Sequence, residues 1–440
     1  MEISENFIVR GKIVNPDGEI IEDGGVYIRK SYIQDVGDFS TVSKKYPDLR
    51  VIGNSRNLVI PGFVNTHSHA VQSFFRGAAD DLELLDWLNQ VILPGEATLT
   101  REELYASCRI GYAEMLMSGI TTTNDMLTAK YSERGLQAAV DSGIRGKVGK
   151  MLMNRNVPEG LLEDRVQIMK EVRELSVKYP KGGRIEFSIT PRFIIACTDE
   201  LMAESAEFAR QNNLLFHTHV AENLNEVVDV QKMTSLTYFM AMDSFGAMHD
   251  NSIFAHCIWP SQIEMKLIKS SGVNISHNPS SNGKLSSGIA PILDYLEMSN
   301  NVGLATDGSP ATGGHDMFLE MKLASFYQKA KFNDPTLLPA EKIFEMATLM
   351  GARALGYKDV GLIRPGYKAD LVLLDTNKPN AYPLYNPISY IVYTATKREV
   401  STVIVDGKIL VNDGSLQYDM TEFYKLAEKY ASEKPFQKRK

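Results

Sequence analysis

The sequence predicts an α/β fold: a (β/α)8 TIM barrel with a small β-sandwich built from both chain ends. The chain has 440 residues and 44% hydrophobic content, which is enough to bury a large core. Short strands broken by turns occupy both chain ends, whereas strands and helices alternate in the middle. We expect the sandwich to comprise residues 1–57 and 366–415, the barrel 58–365, and a C-terminal helix and tail 416–440.

The two chain ends share one style of short strands and tight turns. Near the start, FIVRGKIV, GVYIRK and YIQDVG are separated by the turn sequences PDGE and EDGG. After residue 366 come YKADLVLLD, VSTVIVDGK and ILVNDG, with the hairpin signal Asp406-Gly407. Two β segments that flank a long middle region predict one β-sandwich assembled from both ends.

The middle of the chain alternates strand and helix patterns, as a (β/α)8 barrel requires. The clearest helix begins at Thr100, which forms a capping box with Glu103, and ends at Gly119. Another helix starts near Thr198. An amphipathic pattern follows Gln417, and the closing KPFQKRK is expected to be frayed surface. The strand candidates are 58–66, 120–126, 146–153, 184–191, 214–220, 252–257, 273–278 and 302–307.

Composition argues against several classes of partner. The net charge of −7 disfavours nucleic acid or an anionic membrane, and no apolar run approaches the roughly 18 residues of a membrane helix. The first residues contain acids and no apolar core, so we expect no signal peptide. Cys108, Cys197 and Cys257 form no disulfide framework. We therefore expect a cytoplasmic enzyme with a small-molecule substrate, and a homo-oligomer is compatible with the sequence.

Polar residues with metal-ligand chemistry recur at the ends of the strand candidates. In PGFVNTHSHA, His67 and His69 are separated by one residue, so a strand places both imidazoles on one side. His219 lies at the end of the fifth strand and Asp307 at the end of the eighth. Because a (β/α)8 barrel collects its catalytic groups at the C-terminal strand ends, these four residues are the predicted metal ligands.

Three imidazoles and one carboxylate suit zinc or ferrous iron and leave a position for water. A two-metal barrel of this kind usually needs a carboxylated lysine on the fourth strand, and RIEFSITPRF contains no lysine. We therefore expect one divalent metal, with zinc ahead of iron. Such an ion lowers the pKa of water from about 15.7 to about 7.

The remaining polar strand ends predict a hydrolytic site. Asp307 can ligate the metal and accept the proton of water, and His256, at the end of the sixth strand, can orient the nucleophile. Glu222, three residues after His219, is placed to protonate a ring nitrogen of an electron-poor heterocycle. The catalytic candidates are thus Glu222, His256 and Asp307. The other histidines are weaker candidates: His217 and His277 suit packing and hydrogen bonding, and His249 and His315 fall in loops.

These motifs carry a resemblance to a known family. PGFVNTHSHA, HTHVAEN, AHCIW, SHNPSSNGKLSSGIAPI, ATDG and GLIRPGYKADLVLLD resemble the amidohydrolase superfamily, in its branch of mononuclear deaminases and related hydrolases of aminated heterocycles. The similarity covers essentially the whole chain. It implies the same metal ligands and the same catalytic residues as the strand-end argument.

Different motifs of this sequence resemble two different subfamilies. The stretch RGAADDLELLDWLNQVILPGEATLT, which includes Trp87, resembles methylthioadenosine/S-adenosylhomocysteine deaminases, where a glutamate at the position of Glu96 holds the ribose. Those enzymes typically carry a histidine where this chain has Arg192. HSHAVQ, with Gln72, and ITPRFIIAC resemble guanine deaminase instead, where Gln72 and Arg192 would bind the oxo and amino edges of the ring and Phe193 would pack on its face.

The donor-only chemistry of Arg192 favours a ring carbonyl, and hence guanine or a related 2-amino-4-oxo ring. Asn154 departs from the aspartate expected in guanine deaminases. Three alternatives stay open: an adenosine-type deaminase of methylthioadenosine or S-adenosylhomocysteine, an s-triazine hydrolase, and a non-catalytic barrel scaffold. The scaffold is the weakest, because no ligand or acid is missing from the sequence.

Overall fold

The computed structural model describes residues 6–78 and 80–434. The strands are β1 Asn6–Val14, β2 Ile20–Arg29, β3 Tyr32–Asp38, β4 Val51–Pro61, β5 Phe63–Ser68, β6 Ile120–Met126, β7 Arg145–Leu152, β8 Ile185–Pro191, β9 Phe216–Val220, β10 Ser252–His256, β11 Asn274–His277, β12 Val302–Leu304, β13 Leu371–Asp375, β14 Val400–Val405, β15 Lys408–Asn412 and β16 Ser415–Leu416.

The helices lie mainly between and after the central strands. They are α1 Phe39–Lys45, α2 Leu84–Trp87, α3 Leu93–Ala97, α4 Arg101–Met117, α5 Ser132–Ser142, α6 Arg165–Lys178, α7 Asp199–Gln211, α8 Leu224–Thr234, α9 Tyr238–Ser244, α10 Gln262–Ser271, α11 Pro279–Lys284, α12 Ile292–Glu297, α13 Ser309–Thr312, α14 Met317–Phe332, α15 Ala340–Met346, α16 Leu349–Ala354, α17 Pro387–Tyr393 and α18 Thr421–Glu433. Single-turn 3₁₀ segments and a π-helical turn at Leu88–Ile92 complete the set.

Strands β5 to β12 form the barrel. They pair in parallel in chain order, and a bridge between Ser68 and Asp307 joins the first strand to the segment after the last. The eight strand candidates therefore correspond to the eight barrel strands, and the predicted fold class is confirmed. The connecting helices cover the outside, and a continuous hydrophobic core runs through the barrel and its helices.

The first strand candidate, 58–66, spans two strands rather than one. Residues 58–61 end β4, where Val59 pairs with Ile13 on one side and Leu373 on the other. The chain then turns at Gly62, whose N–H donates to the Asp370 carbonyl, and enters the barrel as β5. One continuous apolar run in the sequence therefore belongs to two different sheets. Because the run is continuous, the break between the two strands was not predicted.

The strands from both chain ends form the predicted separate β domain. They hydrogen-bond as one eight-stranded mixed sheet in the order β16-β15-β14-β13-β4-β1-β2-β3, with a small core of its own. A buried ion pair ties this domain to the barrel: Arg145 of β7 bonds Asp370 at 2.5 Å and Asp406 at 2.7 Å. The domain boundaries expected from the sequence stay a prediction.

The predicted helix boundaries agree with the structure. Helix α4 is opened by the capping box of Thr100 and Glu103, and α7 is capped by Thr198. The C-terminal helix α18 packs Tyr430 against Phe74. The expected frayed tail KPFQKRK falls almost wholly on residues 435–440, which lie outside the described residues. Within the described ranges, no helix is both long and apolar enough to span a bilayer.

Candidate active site

The predicted metal ligands converge at the C-terminal ends of the barrel strands. His67 Nε2 and His69 Nε2 lie 3.5 and 3.6 Å from the same carboxylate oxygen of Asp307. His69 Nε2 lies 3.1 Å from His219 Nε2. All four side chains are buried. The structure therefore brings the four predicted ligands to one place, and their role as metal ligands stays a prediction.

The hydrogen bonds around these histidines indicate where their lone pairs point. His69 Nδ1 lies 2.8 Å from the Met126 carbonyl, and His219 Nδ1 lies 2.7 Å from the Arg192 carbonyl. A carbonyl oxygen only accepts, so each Nδ1 carries the proton and each Nε2 presents a lone pair. Two lone pairs 3.1 Å apart repel each other unless a cation lies between them.

His67 completes this donor set. Its buried Nε2 has no hydrogen-bond partner among the described residues, and its Nδ1 lies 2.9 Å from His217 Nε2. His217 itself lies 2.9 Å from the Asn124 amide, so it serves the hydrogen-bonding role expected of it. Imidazole nitrogens with one carboxylate are the ligands that a divalent transition-metal ion prefers, and these residues fit such an ion.

Charge at the site favours a bound cation. Burial lowers the pKa of His69 and His219 well below the usual histidine value, so both rings are neutral at pH 7. Burial acts to raise the pKa of Asp307, but its close contacts with the imidazoles of His67, His69 and His256 outweigh burial and hold that pKa well below its usual value. Asp307 is therefore a carboxylate.

Glu222 and His256 lie beside this cluster. His256 Nε2 is 3.4 Å from Glu222 Oε2 and 4.0 Å from Asp307 Oδ2. Burial, with the nearby charges of Asp307 and Glu226, raises the pKa of Glu222 well above its usual value. This shift favours the protonated form of Glu222, and its Oε1 lacks a hydrogen-bond partner in the described part of the chain. Glu222 can supply a proton to a substrate, and His256 can supply a polar contact.

Two of these residues adopt left-handed backbone conformations. The φ angles are +73° at His256 and +57° at Asp307, a region that residues other than glycine rarely occupy. Such conformations cost on the order of 1–3 kcal/mol each and cluster at functional sites. The local sequence does not reveal them.

The helical turn α11 supports the two catalytic candidates, and sequence reasoning missed its role. The Asn282 oxygen lies 2.8 Å from His256 Nδ1, and the Ser281 hydroxyl donates to Asp307 Oδ2 at 2.6 Å. Glu320 of α14 anchors the turn by accepting from the Ser280 N–H at 3.0 Å. The motif SHNPSSN, at the C-terminal end of β11, was the feature of the sequence that could have indicated this role.

Of the predicted substrate-binding residues, Trp87, Arg192 and Phe193 line the cleft above the metal ligands, whereas Gln72 and Glu96 are buried next to Arg192. The Gln72 amide nitrogen donates to Glu96 Oε1 at 2.9 Å, and Arg192 Nη1 lies 3.9 Å from the same oxygen. Trp87 and Phe193 form part of the cleft wall. The second Glu96 oxygen and Trp87 Nε1 are buried and have no partner within residues 6–78 and 80–434. The amide nitrogen of Gln72 is therefore bonded to Glu96, and the guanidinium of Arg192 lies beside the same carboxylate and against Met151.

The weaker candidates lie outside this cluster. His277 is buried beside it with both ring nitrogens unpaired among the described residues, and His315 Nδ1 lies 2.8 Å from the Thr306 hydroxyl. His249 contacts the Ser252 hydroxyl near the start of β10. Asn154 caps the segment before α7 by accepting from the Thr198 N–H at 2.8 Å.

Comparison with known proteins identifies the family. Residues 58–410 match the amidohydrolase family, and the chain belongs to it. The 5′-deoxyadenosine deaminase of Methanothermobacter thermautotrophicus is 39% identical over 434 residues, covering 98% of this chain and 97% of the relative. The 5-methylthioadenosine/S-adenosylhomocysteine deaminase of Thermococcus onnurineus is 37% identical over 369 residues, covering 83% and 85%. These matches confirm the predicted enzyme class, a metal-dependent hydrolytic deaminase.

Solved structures agree with this assignment. An adenosine deaminase from Xanthomonas campestris with bound zinc superposes with a TM-score of 0.91 at 27% identity, covering 97% of this chain and 98% of its own. The guanine deaminase of E. coli superposes with a TM-score of 0.85 at 27% identity, covering 92% and 99%. The zinc bound in the Xanthomonas campestris structure and the His-rich cluster of this chain both support the binding of a divalent metal. The sequence preference for a guanine-like ring is not supported, because the relatives named above favour the adenosine-type alternative.

Proposed function

We propose that this protein deaminates the 6-amino group of adenine nucleosides whose 5′ position is deoxygenated or substituted, such as 5′-deoxyadenosine and methylthioadenosine. The chain is 39% identical to a 5′-deoxyadenosine deaminase and 37% identical to a methylthioadenosine/S-adenosylhomocysteine deaminase. The products are ammonia and the corresponding 6-oxo nucleoside.

The observation that carries the substrate assignment is the pairing at Glu96. The guanine-like hypothesis needs Gln72 and Arg192 free to bind a lactam edge. The Gln72 amide nitrogen instead donates to Glu96 Oε1, and Arg192 Nη1 lies 3.9 Å from that oxygen and 2.8 Å from Met151 Sδ. The other oxygen is buried and unpaired in the described residues, which suits it to accept from the hydroxyls of a ribose. Burial raises the pKa of Glu96, while the charge of Arg192 and the donor from Gln72 act to keep it ionised. We therefore assign Glu96 to the sugar.

The cleft wall is consistent with an apolar 5′ group. Leu84, Trp87, Leu88 and Phe193 line it, and all four are at most 7% exposed. A methyl or methylthio group placed against these side chains leaves no polar atom unpaired, whereas a 5′-hydroxyl would. A preference for 5′-deoxy or methylthio nucleosides over adenosine follows.

His67, His69, His219 and Asp307 would hold one divalent metal, zinc ahead of iron. Such an ion, when bound, supplies a Lewis acid that makes water nucleophilic at neutral pH. Asp307, held as a carboxylate, accepts the proton that water loses on attacking C6. Glu222, whose raised pKa favours its protonated form, donates its proton to N1 of the ring, so the electrons of the C6–N1 double bond move to that nitrogen. The proton on Asp307 then passes to the amino group, which leaves as ammonia. The remaining hydroxyl proton on the oxygen at C6 returns to the Glu222 carboxylate as the C6–O double bond forms.

A panel of ammonia-release assays tests the substrate assignment. We expect kcat/KM for 5′-deoxyadenosine or methylthioadenosine to exceed that for guanine, a pterin and an amino-s-triazine by at least about 100-fold, because a site built for particular hydrogen bonds rejects analogues that lack them. A higher kcat/KM for guanine would restore the guanine-like hypothesis. Turnover of the triazine alone would favour the s-triazine hydrolase, and no turnover at all would favour the scaffold.

Glu96→Gln is expected to lower kcat/KM for 5′-deoxyadenosine by about 10- to 100-fold, since hydrogen bonds to a charged group contribute about 1.5–3 kcal/mol. Activity on 2′,3′-dideoxy or free-base substrates should change little, because they offer no diol to the carboxylate. The measurement is kcat/KM for each substrate with the wild-type protein and the variant. Equal losses on ribosides and on substrates without the diol would remove the sugar assignment.

A further inference from the structure

One buried carboxylate outside the proposed ligand set holds the turn that carries His67 and His69. Asp125 lies at the end of β6, next to β5 in the barrel. Its Oδ1 accepts from the Ser68 hydroxyl at 2.7 Å and from the Ala70 N–H at 2.8 Å. Ser68 and Ala70 are the two neighbours of His69 in the chain. A single oxygen therefore fixes the backbone on both sides of that histidine.

The other half of the carboxylate and the next residue complete this support. Asp125 Oδ2 accepts from the Tyr112 hydroxyl of α4 at 2.8 Å, which fixes the rotation of the carboxylate. The carbonyl of Met126, one residue further along β6, accepts from His69 Nδ1. The end of β6 thus fixes both the main chain around His69 and the direction of its ring.

We propose that Asp125 is a positioning residue that sets the metal affinity of the site through its hydrogen bonds to Ser68 and Ala70. No hydrogen bond among the described residues joins it to a proposed ligand, so it acts through the end of β5 and the residue after His69. Without an acceptor at Oδ1, the Ser68 hydroxyl and the Ala70 N–H lose a buried partner, and the turn is free to move His67 and His69 apart. This inference rests on the metal site of the proposed function and does not depend on the substrate.

Two mechanisms could link Asp125 to metal affinity, and they predict different results. The negative charge of a buried carboxylate attracts a nearby cation, whereas the hydrogen bonds act by geometry. Asp125→Asn removes the charge but keeps an oxygen that can accept from Ser68 and Ala70. Asp125→Ala removes both the charge and the acceptor.

The experiment is a zinc titration of the full-length protein against a chromophoric chelator. We expect Asp125→Ala to bind zinc about 10- to 100-fold more weakly than the wild type, the range typical for residues that orient metal ligands. Asp125→Asn should stay within about 3-fold of the wild type, on the same reasoning. Cobalt substitution gives a second readout, because a displaced ligand changes the absorption spectrum of Asp125→Ala and leaves that of Asp125→Asn unchanged.

Two further variants keep the test decisive if Asp125→Ala folds poorly. Ser68→Ala removes one of the two bonds to Oδ1 and should weaken zinc binding, whereas Tyr112→Phe removes only the bond to Oδ2 and should leave it close to wild type. Unfolding midpoints of the metal-free proteins separate a loss of zinc affinity from a loss of stability.

The possible results distinguish a failure of the proposed role of Asp125 from a failure of the metal site itself. Wild-type affinity in both Asp125→Ala and Ser68→Ala would overturn the proposed role while the metal site stands. An equal loss in Asp125→Asn and Asp125→Ala would overturn it in favour of charge. If the wild type binds no zinc, the metal site itself fails and the inference fails with it.

Discussion

Replacing Glu222 with glutamine is expected to lower kcat on an adenine nucleoside by about 10²- to 10⁴-fold, the usual contribution of a general acid–base group. Burial and neighbouring carboxylates raise the pKa of Glu222 beside the metal ligands, which favours its protonated form, and its Oε1 has no hydrogen-bond partner among the described residues. Glutamine has nearly the same shape but cannot release a proton. Steady-state kinetics with metal content measured on the same samples tests this expectation.

A matched control separates lost proton transfer from disturbed packing. Glu264 is also buried, but its carboxylate accepts hydrogen bonds from backbone N–H groups, caps α10 and does not line the cleft. Glu264→Gln should keep near wild-type turnover at 25 °C. If Glu222→Gln retains wild-type kcat while carrying its metal, another group protonates the ring.

Removing the metal is expected to reduce activity to less than about 1% of the loaded protein, because water at neutral pH is a poor nucleophile without a Lewis acid. Metal analysis should give one equivalent per chain. His67→Ala should lose both metal and activity, since the buried Nε2 of His67 faces the other three ligand side chains.

His249→Ala is the control for this result. It removes a histidine that contacts Ser252 near the opposite end of β10, so the metal and the activity should be retained. Two equivalents of tightly bound metal, or full activity of His67→Ala after chelation, would contradict the single-metal site.

The chemistry of the strand ends could be predicted because barrel topology brings distant residues together. His67, His219 and Asp307 are far apart in sequence, yet each follows an apolar run at the same end of the sheet. Parallel strands in a closed barrel leave one edge for their C-terminal residues, so position on the strand was sufficient. The eight strands and the capped helices α4 and α7 could be predicted for the same reason: their periodicity and caps are local.

Contacts between side chains of different loops could not be predicted. Asn282 and Ser281 reach His256 and Asp307 only because Glu320 of α14 holds the α11 turn. The sequence gives no sign that a residue of α14 meets this turn. Asp125 was equally hidden, because its polar side chain lies within the strand ITTTNDM without a motif of its own.

The preference for a guanine-like substrate was inferred from residue types, and that inference was misleading. Arg192 has only donors, and in isolation it favours a ring carbonyl. Helix α3 carries Glu96. The position of this helix brings Glu96 within 3.9 Å of Arg192 and within hydrogen-bonding distance of Gln72. A carboxylate from another element therefore takes one donor of Gln72 and lies close to the charge of Arg192, both of which a guanine-like ring would need.

The most direct test of the account is to incubate the zinc-loaded protein with 5′-deoxyadenosine in water enriched in oxygen-18 and to identify the products by mass spectrometry. Hydrolytic deamination at C6 predicts 5′-deoxyinosine carrying one solvent oxygen on the ring, with ammonia released in equal amount. Free adenine, a product without the solvent oxygen, or conversion of guanine to xanthine while 5′-deoxyadenosine stays intact would contradict it.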